Sequence, residues 1–82
     1  MEKRIGVIAI LVEDRAQAVP RVNELLTEYG DVILGRVGLP QRDRGLNIIS
    51  IIVDGTTDQV GALTGKLGML DGVQTKSLLL TK

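Results

Sequence analysis

Few residues of this 82-residue sequence have chemistry to offer: the adjacent carboxylates Glu13 and Asp14, the lone arginine Arg36 in an aliphatic stretch, and Gly61, Gly65 and Gly68 at helical spacing. The sequence contains no His and no Cys. That removes the commonest metal ligand and the commonest acid–base residue, along with disulfides, thiolate metal sites and thiol redox chemistry. Neighbouring carboxylates on a strand-to-helix turn seldom converge on one substrate, and Asp14 is well placed as a helix N-cap. Arg36 reads either as an edge-strand charge that blocks aggregation or as a recognition group for an anionic ligand. Arg42-Asp43-Arg44 has the look of a solvated loop tip. Asn47 and Ser50 are isolated polar residues with no base beside them, so neither is expected to act as a nucleophile. An enzyme is therefore not expected, nor is a metal or other cofactor.

The elements that must carry these residues are legible from periodicity. Arg4 to Val12 alternates as a strand, with Ile5, Val7, Ala9 and Leu11 on one face and Gly6, Ile8, Ile10 and Val12 on the other. Asp14 then caps a helix from Arg15 to Tyr29, with Ala18, Val22, Leu25 and Tyr29 on its apolar face together with Val19 and Leu26. Pro20 sits too deep for that start and favours a beginning near Gln17. Gly30 stops the helix. A second strand spans Asp31 to Leu39, Pro40 to Gly45 forms a hairpin loop, and a third strand spans Leu46 to Val53. Thr56-Thr57-Asp58-Gln59 has capping-box form and opens a helix from Thr57 to about Leu70. Asp71-Gly72 ends it, and Val73 to Thr81 is the last strand.

The order β-α-β-β-α-β predicts a single α+β domain over residues 1–82, a ferredoxin-like sandwich with sheet order 4-1-3-2 and both helices on one face. The two strands expected at the centre are those with apolar residues on both sides. Two helices cover only one face, so Ile8, Ile10 and one row of the third strand are expected to lack a partner within the chain. A second copy is the simplest cover, giving a homodimer, or a tetramer if the glycine stripe makes another contact. Val60, Leu63, Leu67 and Leu70 form the core side of the second helix. Gly61, Gly65 and Gly68 lie roughly 145° away. Mid-helix glycines cost about 1 kcal/mol each relative to Ala. Close packing of a neighbouring helix would explain three on one face, and so would backbone approach to a ligand. A phosphate loop is disfavoured, because Gly65-Lys66 lies in mid-helix.

The stretch Gly30 to Gly55, with Arg36-Val-Gly-Leu-Pro40 and Asn47-Ile-Ile-Ser-Ile-Ile-Val53, resembles a family of small ACT-like proteins described as regulators of the iron-only hydrogenase system. Gly61-Ala-Leu-Thr-Gly-Lys-Leu-Gly-Met-Leu-Asp-Gly-Val73 carries the same resemblance, which covers essentially the whole chain. It implies a regulatory module with no catalytic role. ACT domains bind amino acids between subunits near the first strand-to-helix turn, which implies Val12, Glu13 and Asp14, with Arg15, as ligand-binding residues here. Arg36, Gly61 and Gly65 complete the expected set. More distantly, the chain resembles the C-terminal domain of the nickel-responsive repressor. The positions of its nickel ligands fall near Leu39, Gln41 and Asn47, which cannot form an imidazole–thiolate site, so no metal is expected.

Composition narrows the partners. The chain is 44% hydrophobic with 10 basic and 10 acidic residues, net charge zero, which is neither disordered nor a nucleic-acid-binding profile. Tyr29 is its only aromatic residue, leaving no stacking platform for bases. No apolar run is long enough to span a membrane, and no targeting segment is visible, so a cytoplasmic protein is expected. The expected function is a homo-oligomeric regulatory module that binds a small ligand or protein partner at a subunit interface. The alternative is a purely structural oligomerisation protein without a ligand.

Overall fold

Alternating apolar residues produce four strands in the computed structural model, which describes residues 2–81: β1 Arg4–Glu13, β2 Ile33–Gln41, β3 Leu46–Gly55 and β4 Val73–Leu79. Two helices, α1 Val19–Glu28 and α2 Thr57–Gly68, complete the expected element order. The sheet runs β2-β3-β1-β4 with all neighbours antiparallel, which is the expected 4-1-3-2 seen from the other edge. β1 and β3 lie at its centre and pair without interruption from Arg4↔Gly55 to Glu13↔Leu46.

One face of the sheet is packed. Ile8, Ile10 and Val12 of β1 and Ile49, Ile51 and Val53 of β3 form a single cluster with Val22, Leu25 and Leu26 of α1 and Val60, Leu63 and Leu67 of α2. Both helices thus lie on the same side. Ile8 and Ile10 were expected to lack a partner, and here the structure corrects the expectation. They are 0% and 1% exposed and face the helices. The unpartnered row of β1 is Ile5, Val7, Ala9 and Leu11, paired with Asp54, Ile52, Ser50 and Ile48 of β3. Both rows of β1 are apolar, so alternation alone left their sides ambiguous. The row ends do not settle it either: the open rows finish in Glu13 and Asp54, but the packed row of β1 itself begins at Arg4.

The β1–α1 connection also differs from expectation. Asp14–Ala16 forms a 3₁₀ turn, Gln17 adopts a left-handed conformation at φ 53°, and α1 begins only at Val19. Pro20 explains the delay: it has no N–H to give and is tolerated within the first turn, where the helix now places it. Asp14 therefore caps no helix, and its carboxylate instead accepts a hydrogen bond from the Asn47 amide. The expected capping box of α2 is present, with Gln59 N donating to Thr56 Oγ1 at 3.1 Å and Thr56 N donating to Gln59 Oε1 at 2.9 Å. Gly30–Val32 coils into a 3₁₀ turn, so β2 starts at Ile33, two residues later than expected. β2 also runs on through Pro40 and Gln41, which shortens the loop to Arg42–Arg44 and Gly45.

Two backbone bonds hold the β1–α1 turn: Glu13 N donates to Gly72 O at 2.8 Å, and Asp14 N donates to Gly45 O at 2.9 Å. Gly72 has φ 75°, and a Cβ there would collide with that of Ala16. Gly72→Ala is expected to destabilise the fold by about 1–3 kcal/mol through strain and overlap. Gly30→Ala, where an added Cβ meets nothing within 4 Å, is expected to stay within about 0.5 kcal/mol of wild type. Urea denaturation measures both, and equal midpoints would show that the turn does not need the glycine.

Candidate functional site

The ends of β1 and β3 meet the β1–α1 turn and the β2–β3 loop around an open cavity of about 340 Å³. Glu13, Asp14, Arg15, Arg44, Gly45 and Leu46 line it. The Arg15 Nε–Glu13 Oε2 pair spans 3.7 Å, and the Arg15 side chain is 88% exposed, so water and salt screen it. Asp14 is held by Asn47. Among the described residues Arg44 is in no ion pair. The cavity thus presents two carboxylates and two guanidinium groups in an open, polar setting. It can hold a ligand carrying both signs of charge, and it offers no nucleophile.

A second, smaller cleft of about 160 Å³ opens between α1 and the β2 edge, with Asn23, Arg36, Gly38, Pro40 and Asn47 in its wall. Arg36 pairs with Ile51 in register and so lies on the helix side of the sheet, where its Nη2 donates to Asn23 Oδ1 at 3.1 Å. Asn47 borders this cleft and also bonds to Asp14, which links the two sites. Its role was not apparent from the sequence, where it is an isolated polar residue in an apolar strand. The signal would have been its position at the start of β3, opposite Val12 and Pro40 and next to the β1–α1 turn.

The remaining expected residues lie elsewhere. Val12 is fully buried beneath the turn and lines neither cleft. Gly61 and Gly65 lie exposed on α2, and an added Cβ at either meets nothing within 4 Å. Neither lines either cleft. Beside them, the Lys66 ammonium lies 5.1 Å from the Tyr29 ring centroid. Hydrogen bonding to Tyr29, and then its charge, raises the Lys66 pKa above its ordinary value.

The open sheet face carries a row of exposed apolar side chains. Val37 and Leu39 of β2, Ile48 and Ile52 of β3 and Leu78 of β4 are exposed there, between 39% and 63%. A shallow hollow of about 250 Å³ between Ala9, Leu11, Ile48, Gln74 and Lys76 lies on the same face.

Comparison with known proteins places this arrangement. Residues 4–77 match the model of the TM1266-like family, whose description reads "Iron-only hydrogenase system regulator, putative". The structure of the uncharacterized protein TM1266 from Thermotoga maritima is similar at 44% identity, covering 98% of this chain and 100% of that one with a TM-score of 0.94. The C-terminal domain of the MgtC protein from Mycobacterium tuberculosis is similar in fold at 12% identity, with 95% and 88% of the two chains covered and a TM-score of 0.73. So is the de novo designed protein Foldit4, at 13% identity, 99% coverage of each chain and a TM-score of 0.58. No curated protein matches the sequence.

The open space around Gly61 and Gly65 has a measurable consequence. If nothing packs there, Gly61→Ala and Gly65→Ala each raise stability by about 1 kcal/mol through helix propensity. Thermal and urea unfolding of the double variant give the answer. A loss of stability would mean that another chain approaches the backbone at this face.

Proposed function

The chain belongs to the TM1266-like family of iron-only hydrogenase system regulators, and from that premise we propose that it acts as a non-catalytic regulatory module on a ferredoxin-like, ACT-like frame. It works as a homodimer joined through the open sheet face and binds a small ligand at the rim of that contact. The observation that carries the reading is the exposed apolar face itself. Four strands of seven to ten residues present on the order of 500 Å² of plane. Side-chain relief adds to that, towards the roughly 800 Å² that each partner buries in a stable complex. Monomers seldom leave so large an apolar patch bare. A two-fold axis sets the patch against itself, and two twisted sheets pack face to face about 10 Å apart. The charges of this face fit such a contact. Glu13 and Asp54 stand at the strand ends and Lys76 on the edge strand, so apart from Ser50 the centre is apolar, and the rim is polar.

The turn cavity adjoins that rim. Glu13 and Leu46 pair in the open rows and also line the cavity. A ligand bound there lies within reach of both copies, so binding and association favour each other. The absence of His and Cys supports a binding role over a catalytic one.

Sedimentation equilibrium at micromolar concentration is expected to give twice the chain mass. Ile52→Asp lies 46% exposed in the single chain, outside the core, and is expected to return the mass to one chain. It should also lower the melting temperature and remove its dependence on protein concentration. A well-folded wild-type monomer would overturn the dimer. Thermal-shift screening with amino acids and other small metabolites tests the ligand, which raises the melting temperature if it binds only the folded state.

A further inference from the structure

We propose that the cleft between α1 and β2 is a site for a small oxyanion, carboxylate or phosphate, held by the Arg36 guanidinium and the Asn23 amide. This site is separate from the turn cavity, with no lining residue in common, and it requires neither the ligand proposed there nor the sheet-face dimer. Its charge is one-sided. Arg36 and two asparagines are among its lining residues, and no carboxylate is. The nearest acids of α1 are already engaged: Arg21 reaches Glu24 at 3.4 Å and Glu28 at 3.9 Å. Among the described residues Arg36 is in no ion pair.

The existing hydrogen bond orients the donors. Asn23 accepts from Arg36 through Oδ1, which leaves its amino group to donate alongside the remaining guanidinium N–H groups. Asn47 spends one amide proton on Asp14 and keeps the other. A planar fork beside an amide donor is the arrangement that recognises carboxylate or phosphate oxygens in pairs.

Space is provided by the sequence. Gly38 pairs with Ile49 and so shares the helix side of β2 with Arg36, and a Cβ on it would meet nothing within 4 Å. The rest of the wall is aliphatic, the ring of Pro40 included. At about 160 Å³ the cleft is well below the roughly 300–1,000 Å³ of pockets for drug-sized ligands, which restricts it to a small anion or to the acidic end of a larger molecule.

The test is an NMR titration of the amide resonances of the ¹⁵N-labelled full chain, with inorganic phosphate and acetate in separate arms at constant ionic strength. Saturable shifts centred on Asn23, Arg36 and Gly38 are expected, and the tighter arm identifies the oxyanion. Arg36→Gln is expected to weaken binding at least about tenfold, the loss of a charge-assisted pair. Gly38→Val is expected to fold as wild type, since its added side chain enters open space, yet to weaken binding by filling the cleft. No saturable shift in either arm, or shifts that survive both substitutions, would overturn the site. Sedimentation of the same samples keeps the readings apart: lost anion binding at unchanged mass leaves the dimer intact, and a monomer that still binds leaves the site intact.

Discussion

The structure depends on one mismatch. Its two central strands are apolar on both faces, and its two helices cover one. The covered side is complete: Ile8, Val12, Ile51, Val53, Val22, Leu63 and Leu67 are all fully buried in one cluster. Each such side chain contributes on the order of 1.5–3 kcal/mol when taken from water. In so short a chain, that sum barely exceeds the entropy of ordering the backbone. The open side therefore holds the unused half of the sheet's apolar surface, in the residues Ile48, Ile52, Val37, Leu39 and Leu78. An antiparallel sheet with one face in water would alternate with polar residues there, and in the open row of β3 only Ser50 and the terminal Asp54 are polar.

The same sheet aims the polar groups. β1 runs straight from its apolar centre into Glu13, so the first carboxylate emerges in line with the open row and the next residue turns towards the loop above β3. Two backbone bonds, to Gly72 and Gly45, fix that corner from two different connections. Asn47 ties it to the start of β3 and, on its other side, borders the Arg36 cleft. The chain's charged corner is thus built on the ends of rigid strands, with little freedom in the groups that hold it.

Much of this is legible in the sequence. Element order, sheet order and the α2 capping box follow from local patterns: alternation, a Thr-x-x-Gln start, and apolar runs on the strands that must be central. Two things were not legible. The side of β1 that meets the helices is a parity, and two apolar rows give no local reason to choose, because each also ends in a charge, Arg4 on the packed side and Glu13 on the open one. The start of α1 set two local rules against each other, a good capping residue at Asp14 and a proline six residues on. The proline, which already pointed to a start near Gln17, prevailed because in a helix interior it costs about 3 kcal/mol while a cap contributes about 1 kcal/mol, and only the exact start at Val19 was hidden. Asn47 was opaque for a different reason. Its partner is 33 residues away, and only the pairing of β1 with β3 brings the two together.

A chain without His or Cys has few ways to convert binding into a signal. Its interior offers little: α2 is fixed by a reciprocal cap, the corner by Gly72 and two backbone bonds, and the core is a single filled cluster. A packed core of this kind offers a ligand little to rearrange, and a regulator needs two states with different affinities. The remaining freedom is outside the fold, in whether the open face is covered. Association is concentration-dependent and responds to anything bound at its rim through mass action. On the reading proposed here, the incompletely covered sheet and the charged corner at its edge are two parts of one device. The sheet supplies the equilibrium, and the corner supplies the group that shifts it.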